Sequence, residues 1–372
     1  MNLNPVIIAI PIFFGLMAAE LLYEAITKEV TYRLNDAVTN INLGILNQVT
    51  GIATKLVTVG CYSFLYQYFA LIELEHSWLA FAALFILYDF CFYWSHRMSH
   101  QVSLFWGGHV VHHQSEDFNL SVALRQSSTS FIWSLPFYMP LAILGFHPVQ
   151  FVMIAGLNLL YQFWIHTEHI GKLGWIELIM NTPSHHRVHH GRDPKYIDQN
   201  YAGVFIVWDR LFGTFVEEEE TPTYGITKPL ESWNPVYANF AHYIDLFRYA
   251  KYANSWQDTL NILFRNPGWL PDYLQQASDV ETNTKSLSEG KYDVDISFPW
   301  LKAYSVIQFL IGLGVTSWFL FHYSQFQMDT KLYFAGWIVY TSLMLGFMFE
   351  RKSWWLILLE MIRLAALPAG YF

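Results

Sequence analysis

The chain has 372 residues, 53% hydrophobic, 18% aromatic and 14% charged, against about 25% charge in a soluble domain. That excludes an ordinary soluble globule and points to a chain solvated in part by lipid, while a net charge of −9 leaves no basic footprint for nucleic acid. The two cysteines, Cys61 and Cys91, exclude a disulfide framework and a thiolate metal site, and both read as small buried hydrophobes.

Residues 5–26 are uncharged until Glu20 and Glu24 and are long enough to cross about 30 Å of hydrocarbon. They have no basic residue before Lys28, so they read as a retained span rather than a signal peptide. A second span is expected over 41–74, interrupted by Lys55, and a third over 78–95. Residues 131–165 are broken by Pro136, Pro140 and Gly145-Phe146-His147-Pro148, which leaves two forms open: two spans or a re-entrant hairpin. Residues 166–299 are mostly polar, face water, and hold 11 of the 21 lysines and arginines, so the positive-inside rule makes that side cytoplasmic. Residues 275–297 read as a linker. Further spans are expected over 303–321 and 332–349; 354–367 contains Glu360 and Arg363 and is either a span or an interfacial helix. The expected fold is all-α: a multispan transmembrane protein with a histidine-rich helical cap on the cytoplasmic side. Its divisions are 1–80 (N-terminal helices), 81–235 (catalytic), 236–299 (polar linker region) and 300–372 (C-terminal helices).

Twelve of the fifteen histidines fall between His96 and His190. His96 and His100 are four apart. His109, His112 and His113 form an H-x2-H-H pattern, which His186, His189 and His190 repeat. Residues three and four apart share a helix face, so each cluster can aim imidazoles at one point. So many imidazoles exceed the needs of one ion and imply a di-metal centre. The absence of cysteine argues against structural zinc, but imidazole suits iron, copper, nickel and zinc alike. His166 and His169 end an apolar span as His96 does and join the ligand set. His185 has two roles open, ligand or substrate-facing group. Asp89, Glu116, Asp117, Asn119, Glu168, Asn181, Asp193, Asp198 and Asn200 can orient the ring N–H groups. Tyr93, Trp94, Trp106, Phe118, Tyr161 and Trp164 can line a lipid entry, and Arg125, Arg187 and Arg192 can bind a headgroup or anchor helices. His76, His147, His242 and His322 stand alone and read as incidental.

The motifs HRMSH, HVVHH and HHRVHH, in that order between apolar spans, resemble the fatty acid hydroxylase/sterol desaturase superfamily. HHQSEDFNLSVALRQS, YQFWIHTE, NTPSHHRVHHGRD and NYAGVFIVWDRLFGTF resemble the alkylglycerol monooxygenases within it. The resemblance implies two iron ions, O2, a membrane lipid substrate and an electron donor that the sequence leaves unidentified. It implies hydroxylation beside an ether oxygen and collapse to an aldehyde and a glycerol; the alternative is a hydroxylase or desaturase of sterols, carotenoids, fatty acyl or other lipids. It implies as ligands His96, His100, His109, His112, His113, His166, His186, His189 and His190, with His169 paired as in related fatty acid hydroxylases. It also implies tetrahydrobiopterin. However, the animal enzymes carry an acidic residue linked to pterin use directly after their HRxxH motif, and that position here is Gln101. The membrane is either the endoplasmic reticulum or a bacterial inner membrane.

Overall fold

The structure, a computed structural model, describes residues 5–75, 77–275, 291–292, 299–350 and 355–368. His76 and most of the linker expected over 275–297 lie outside the described residues. Among the described residues the chain is all-helical with no β-strand, only two isolated bridges. The first three helices are α1 (Pro5–Thr27), α2 (Leu34–Phe69) and α3 (Trp78–Gln101). Short helices α4 (Ser103–Trp106) and α5 (Val110–His113) follow, then α6 (Ser130–Ile143) and α7 (Pro148–Trp164). The polar stretch holds α8 (Pro183–His189), α9 (Val207–Phe212), α10 (Pro235–Lys251) and α11 (Trp256–Phe264), before α12 (Pro299–His322), α13 (Met328–Glu350) and α14 (Trp355–Ala365).

Among the described residues, five helical stretches are long and apolar enough to cross a membrane: Ile10–Thr27, Leu34–Phe69, Trp78–Gln101, Pro299–Gln325 and Met328–Glu350. α2 begins seven residues before the expected span because Asn35, Asp36, Thr39, Asn40 and Asn42 are buried inside the protein, where Asp36, Thr39 and Asn40 find hydrogen-bond partners. α3 likewise runs past residue 95, and its last turns carry His96 and His100. α6 and α7, with 14 and 17 residues, are about 21 and 26 Å long, short of a full crossing, and form the hairpin. Gly145 closes it at φ +94, where a Cβ would strike the Ile72 carbonyl oxygen. α14 has 11 residues, too few to cross, and buries Glu360 and Arg363 instead of exposing them to lipid. The Arg363 guanidinium binds Glu360, 2.8 Å away at Nε, and Gln308 of α12, and so ties α14 to the bundle.

α2 is shared by two cores. Tyr62 packs with Leu84, Tyr88, Tyr138 and Phe151 of α3, α6 and α7. Ile45 and Val49 pack with Phe319, Phe334 and Trp337 of α12 and α13. Between lipid-immersed helices, close packing and polar links supply the attraction that the hydrophobic effect supplies in water. Cys91 is half-buried, but Cys61 is exposed on the apolar outer surface of α2, not buried, because its face of the helix meets no neighbour.

Candidate metal centre

Four segments bring the histidines together. The end of α3 presents His96 and His100 one turn apart. His109 stands at the start of α5, which carries His112 and His113. His166 follows the C-terminus of α7. α8 starts at Pro183, whose fixed φ suits a first helical position, and carries His186 and His189, with His190 at its C-cap.

Nine of the ten histidines singled out in the sequence converge in two groups. His96, His100, His109, His113 and His189 form one; His112, His166, His186 and His190 form the other. Within each group the ligand atoms lie within 4.8 Å of one another. The H-x2-H-H motifs do not serve one point each, as the sequence suggested. Adjacent side chains on a helix diverge by about 100°, so each motif is divided. His109 and His113 enter the first group while His112 enters the second; His186 and His190 enter the second while His189 enters the first. The groups touch where His113 stacks on His190, with ring centroids 4.4 Å apart.

The ring nitrogens themselves test whether a metal ion fits. His112 Nδ1 lies 3.0 Å from the Arg125 carbonyl and His166 Nδ1 lies 2.7 Å from the Gln162 carbonyl. A carbonyl only accepts, so both Nδ1 atoms carry protons. Burial pushes His166 well below the usual histidine range and His112 down to about 4, so both rings are neutral and both Nε2 atoms are bare lone pairs. Yet those two Nε2 atoms face each other at 3.1 Å with no proton to share. In the first group His189 Nδ1 donates to the Gln199 carbonyl at 3.0 Å, and its buried Nε2 has no partner. Burial also lowers His109, His113, His186, His189 and His190 well below the usual range. Converging neutral imidazoles with opposed lone pairs are arranged for cations that accept nitrogen donors.

The loop from 198 to 205 does much of the positioning. The Tyr201 carbonyl accepts from His96 Nδ1 at 2.7 Å, and Asp198 lies 3.2 Å from His100 Nδ1. Asp198 and Asn200 adopt positive φ, 59° and 55°, which Asp and Asn tolerate best after glycine. Two buried carboxylates hold this loop. Asp209 accepts from the Tyr201 and Ala202 amides at 2.7 and 2.8 Å, and Asp89 accepts from the Val204 and Phe205 amides at 2.8 and 2.9 Å. Asp89 therefore orients the loop and not a histidine. Tyr201, Gln199 and Asp209 were not singled out individually in the sequence, although Tyr201 and Asp209 lie within the segment NYAGVFIVWDRLFGTF that carries the resemblance.

Other residues from the sequence reading have these places. His169 is in neither group: its Nε2 and Nδ1 each lie 3.3 Å from a carboxylate, of Glu24 and Glu29 respectively. His185 also stands apart, with its ring against Phe215 and its Nδ1 buried without a partner. Glu116 and Asp117 face Arg33, Tyr292 and Lys291, not the histidines. Asn181 and Asn200 bind backbone carbonyls of the surrounding loops. Arg125 is fully buried, bonding the Val111 carbonyl, Asn40 and Gln114. Arg187 forks onto Glu218 at 2.6 and 2.7 Å. Both arginines anchor the fold. Trp106 lies against His100 and His113, and Phe118 against His166 and His190, so each group has an aromatic cover. His147, His242 and His322 lie outside both groups: His147 rests edge-on to Tyr66, His242 bonds the Ser103 carbonyl at 2.8 Å, and His322 bonds the Trp318 carbonyl at 2.9 Å.

Fold and site together define an integral membrane protein built around two adjacent all-imidazole groups able to hold metal ions. Residues 81–214 match the fatty acid hydroxylase family. The alkylglycerol monooxygenase of Xenopus tropicalis is 38% identical over 345 residues, 91% of this chain and 76% of that protein. The alkylglycerol monooxygenase of Homo sapiens is 37% identical over 347 residues, 92% of this chain and 77% of that protein. The ornithine lipid hydroxylase of Rhizobium tropici is 26% identical over 131 residues, 35% of this chain and 40% of that protein. No solved structure matches the chain. The chain belongs to the alkylglycerol monooxygenase family, within the fatty acid hydroxylases, and is a membrane lipid monooxygenase.

Proposed function

We propose that this monooxygenase holds two iron ions, one in each imidazole group, and hydroxylates the ether-bearing carbon of an alkylglycerol. His96, His100, His109, His113 and His189 are the ligands of one ion, and His112, His166, His186 and His190 of the other. The observation that carries the reading is the pair of bare Nε2 atoms of His112 and His166, opposed at 3.1 Å with both Nδ1 protons already committed to carbonyls. An all-nitrogen donor set without cysteine suits a redox metal better than a structural zinc. His169 is left out of the ligand set because both its ring nitrogens face carboxylates.

Iron, when bound, supplies the activation of O2. The net reaction inserts one oxygen atom into a C–H bond beside the ether oxygen. The second oxygen atom leaves as water, with two electrons from an external donor and two protons. The resulting hemiacetal breaks its C–O bond, giving a fatty aldehyde and a free glycerol hydroxyl. The protein's part is orientation and exclusion of water. The carbonyls of Tyr201, Gln199, Arg125 and Gln162 hold the Nδ1 protons and aim the opposite nitrogens inward. Trp106 and Phe118 cover the groups with apolar rings. Gln101 at the end of α3 replaces the acid associated with pterin use, so a donor other than tetrahydrobiopterin is part of the reading. The catalytic unit is residues 81–235, and the histidine side is cytoplasmic by the distribution of lysine and arginine, in a bacterial inner membrane or the endoplasmic reticulum.

The test is incubation of the purified, lipid-reconstituted enzyme with a 1-O-alkylglycerol, O2 and a panel of reductants, tetrahydrobiopterin among them. Fatty aldehyde released in step with O2 uptake is expected. A hydroxylated acyl or sterol product without ether cleavage replaces the substrate assignment, and O2 uptake with no lipid product overturns the reading.

A further inference from the structure

Residues 166–299 read from sequence as a water-facing region, yet part of it packs against the membrane-crossing length of α3. Phe205 lies edge-on to Phe85, with centroids 5.7 Å apart, and Trp208 lies 5.2 Å from Phe90. Phe212 lies 5.1 Å from Trp94. Phe85 is eleven residues before His96, about 16 Å deeper along the helix. The segment from Phe205 to Phe212 therefore runs beside α3 at the depth of the hydrocarbon. The antiparallel bridge from Phe205 to Met180 brings the preceding segment to the same level.

That segment is a one-turn 3-10 helix, Gly174–Leu178, with apolar side chains pointing away from the protein. Trp175 is 76% exposed and Leu178 61%, and Leu211 on α9 is 66% exposed. Ile179 and Val207 extend the patch. The charges stand at its exposed edge and are paired there: Lys172 with Glu217 at 2.6 Å, and Arg210 donating to the Glu177 carbonyl at 3.1 Å. Apolar tips beside a spanning helix, with cations set back at the rim, are the pattern of an element immersed in the headgroup and acyl region.

We propose that Gly174–Leu178 and α9 form a wedge that inserts into the bilayer beside α3, with lipid acyl chains as its partner. The occupant follows from continuity: the patch extends the lipid-facing surface of a span and shares its depth. The Glu177 carboxylate accepts from the Thr182 hydroxyl at 2.8 Å, and Thr182 is the N-cap of α8. The wedge is thus tied to the helix that carries His186 and His189, and it places membrane lipid next to that helix. The inference does not rest on the identity of the metal or of the substrate.

The experiment is nitroxide labelling of the full chain in phosphatidylcholine/phosphatidylglycerol nanodiscs, with Cys61→Ala and Cys91→Ala as background. Labels go at Trp175→Cys, Leu178→Cys, Ile179→Cys and Leu211→Cys, each at an exposed position and judged separately. Ile86→Cys on the exposed face of α3 is the lipid reference, and Lys228→Cys, paired with Asp245 at the surface, is the aqueous reference. The ratio of collision rates with O2 and with nickel-EDDA is the readout. Ratios close to that at position 86, and several-fold above that at position 228, are expected. Ratios equal to that at position 228 overturn the proposal, as does shielding from both reagents, which a covering protein such as a second copy produces.

Discussion

Removing the Asp209 carboxylate separates support of the site from the site itself, because this side chain touches no histidine. It is fully buried and accepts three hydrogen bonds: from the Tyr201 amide at 2.7 Å, the Ala202 amide at 2.8 Å and the Thr214 hydroxyl at 2.7 Å. Asp209→Ala leaves two buried amides without an acceptor, at roughly 1–3 kcal/mol each. The Thr214 hydroxyl keeps Tyr93 as a partner at 2.9 Å and adds little. The expected loss is about 4 kcal/mol, a large part of the roughly 5–15 kcal/mol that holds a typical domain together. Asp209→Asn retains one acceptor oxygen and loses about half as much. The conservative variant also loosens the Tyr201 carbonyl that holds His96 Nδ1. Loss of such an outer contact typically costs about 10–100-fold in metal affinity. The assays are thermal unfolding at a fixed scan rate and iron retention against a chelator, both in nanodiscs. An Asp209→Asn protein with wild-type melting and wild-type iron retention refutes the reasoning.

His112→Ala and His189→Ala each take a ligand from one group and reduce turnover to background while the protein still inserts; wild-type turnover in either variant, measured by product formation, contradicts the ligand assignment. Gly44→Ala puts a Cβ 2.7 Å from the Leu124 carbonyl, backbone that sits one residue from the Arg125 carbonyl holding His112; it costs about 1–3 kcal/mol, read as a lower melting temperature. Arg187→Leu leaves Glu218 and the Thr167 and Ile170 carbonyls without their donor; it costs about 3–5 kcal/mol, and the double variant with Glu218→Leu melts above the single one. Stability also falls in acid. The folded protein keeps its buried histidines neutral, burial holding His112 near 4 and His109, His113, His166, His186, His189 and His190 well below the usual range, whereas unfolded histidine titrates near 6.5. Between those values the unfolded chain binds more protons, so this stability is complete above about pH 6.5 and is lost as the pH falls toward 4. A melting temperature independent of pH across that window contradicts the burial of neutral imidazoles.

The histidines were legible because their spacing is a local property: i, i+3 and i, i+4 pairs announce a shared helix face in any short window. The division of each H-x2-H-H motif between two groups was not legible, since it depends on where α3, α5, α7 and α8 meet. His166 and His169 looked alike in sequence, both following the apolar run of α7. Only the fold shows that His169 turns to Glu24 and Glu29 on and beyond α1, far away along the chain. The supporting carbonyls were invisible for the same reason: His96 binds a carbonyl 105 positions away, and every residue type has a carbonyl. The spans were read well at their apolar centres but not at their ends: α2 starts and α3 finishes beyond the expected limits, where polar residues are buried in the protein, and the second span was carried five residues past the end of α2 at Phe69. Asp89 shows the limit of reading polarity by proximity. It stands two helical turns before His96, yet its carboxylate serves the Val204–Phe205 backbone.

The central claim, that the two imidazole groups hold two iron ions, is tested most directly by counting metal in protein purified from iron-replete cells. Elemental analysis with Mössbauer spectroscopy on the wild type should give about two irons per chain, and the double variant His112→Ala/His166→Ala should retain about one, in the group built by His96, His100, His109, His113 and His189. Wild-type protein with zinc in place of iron, or a double variant with the full wild-type complement, contradicts the account.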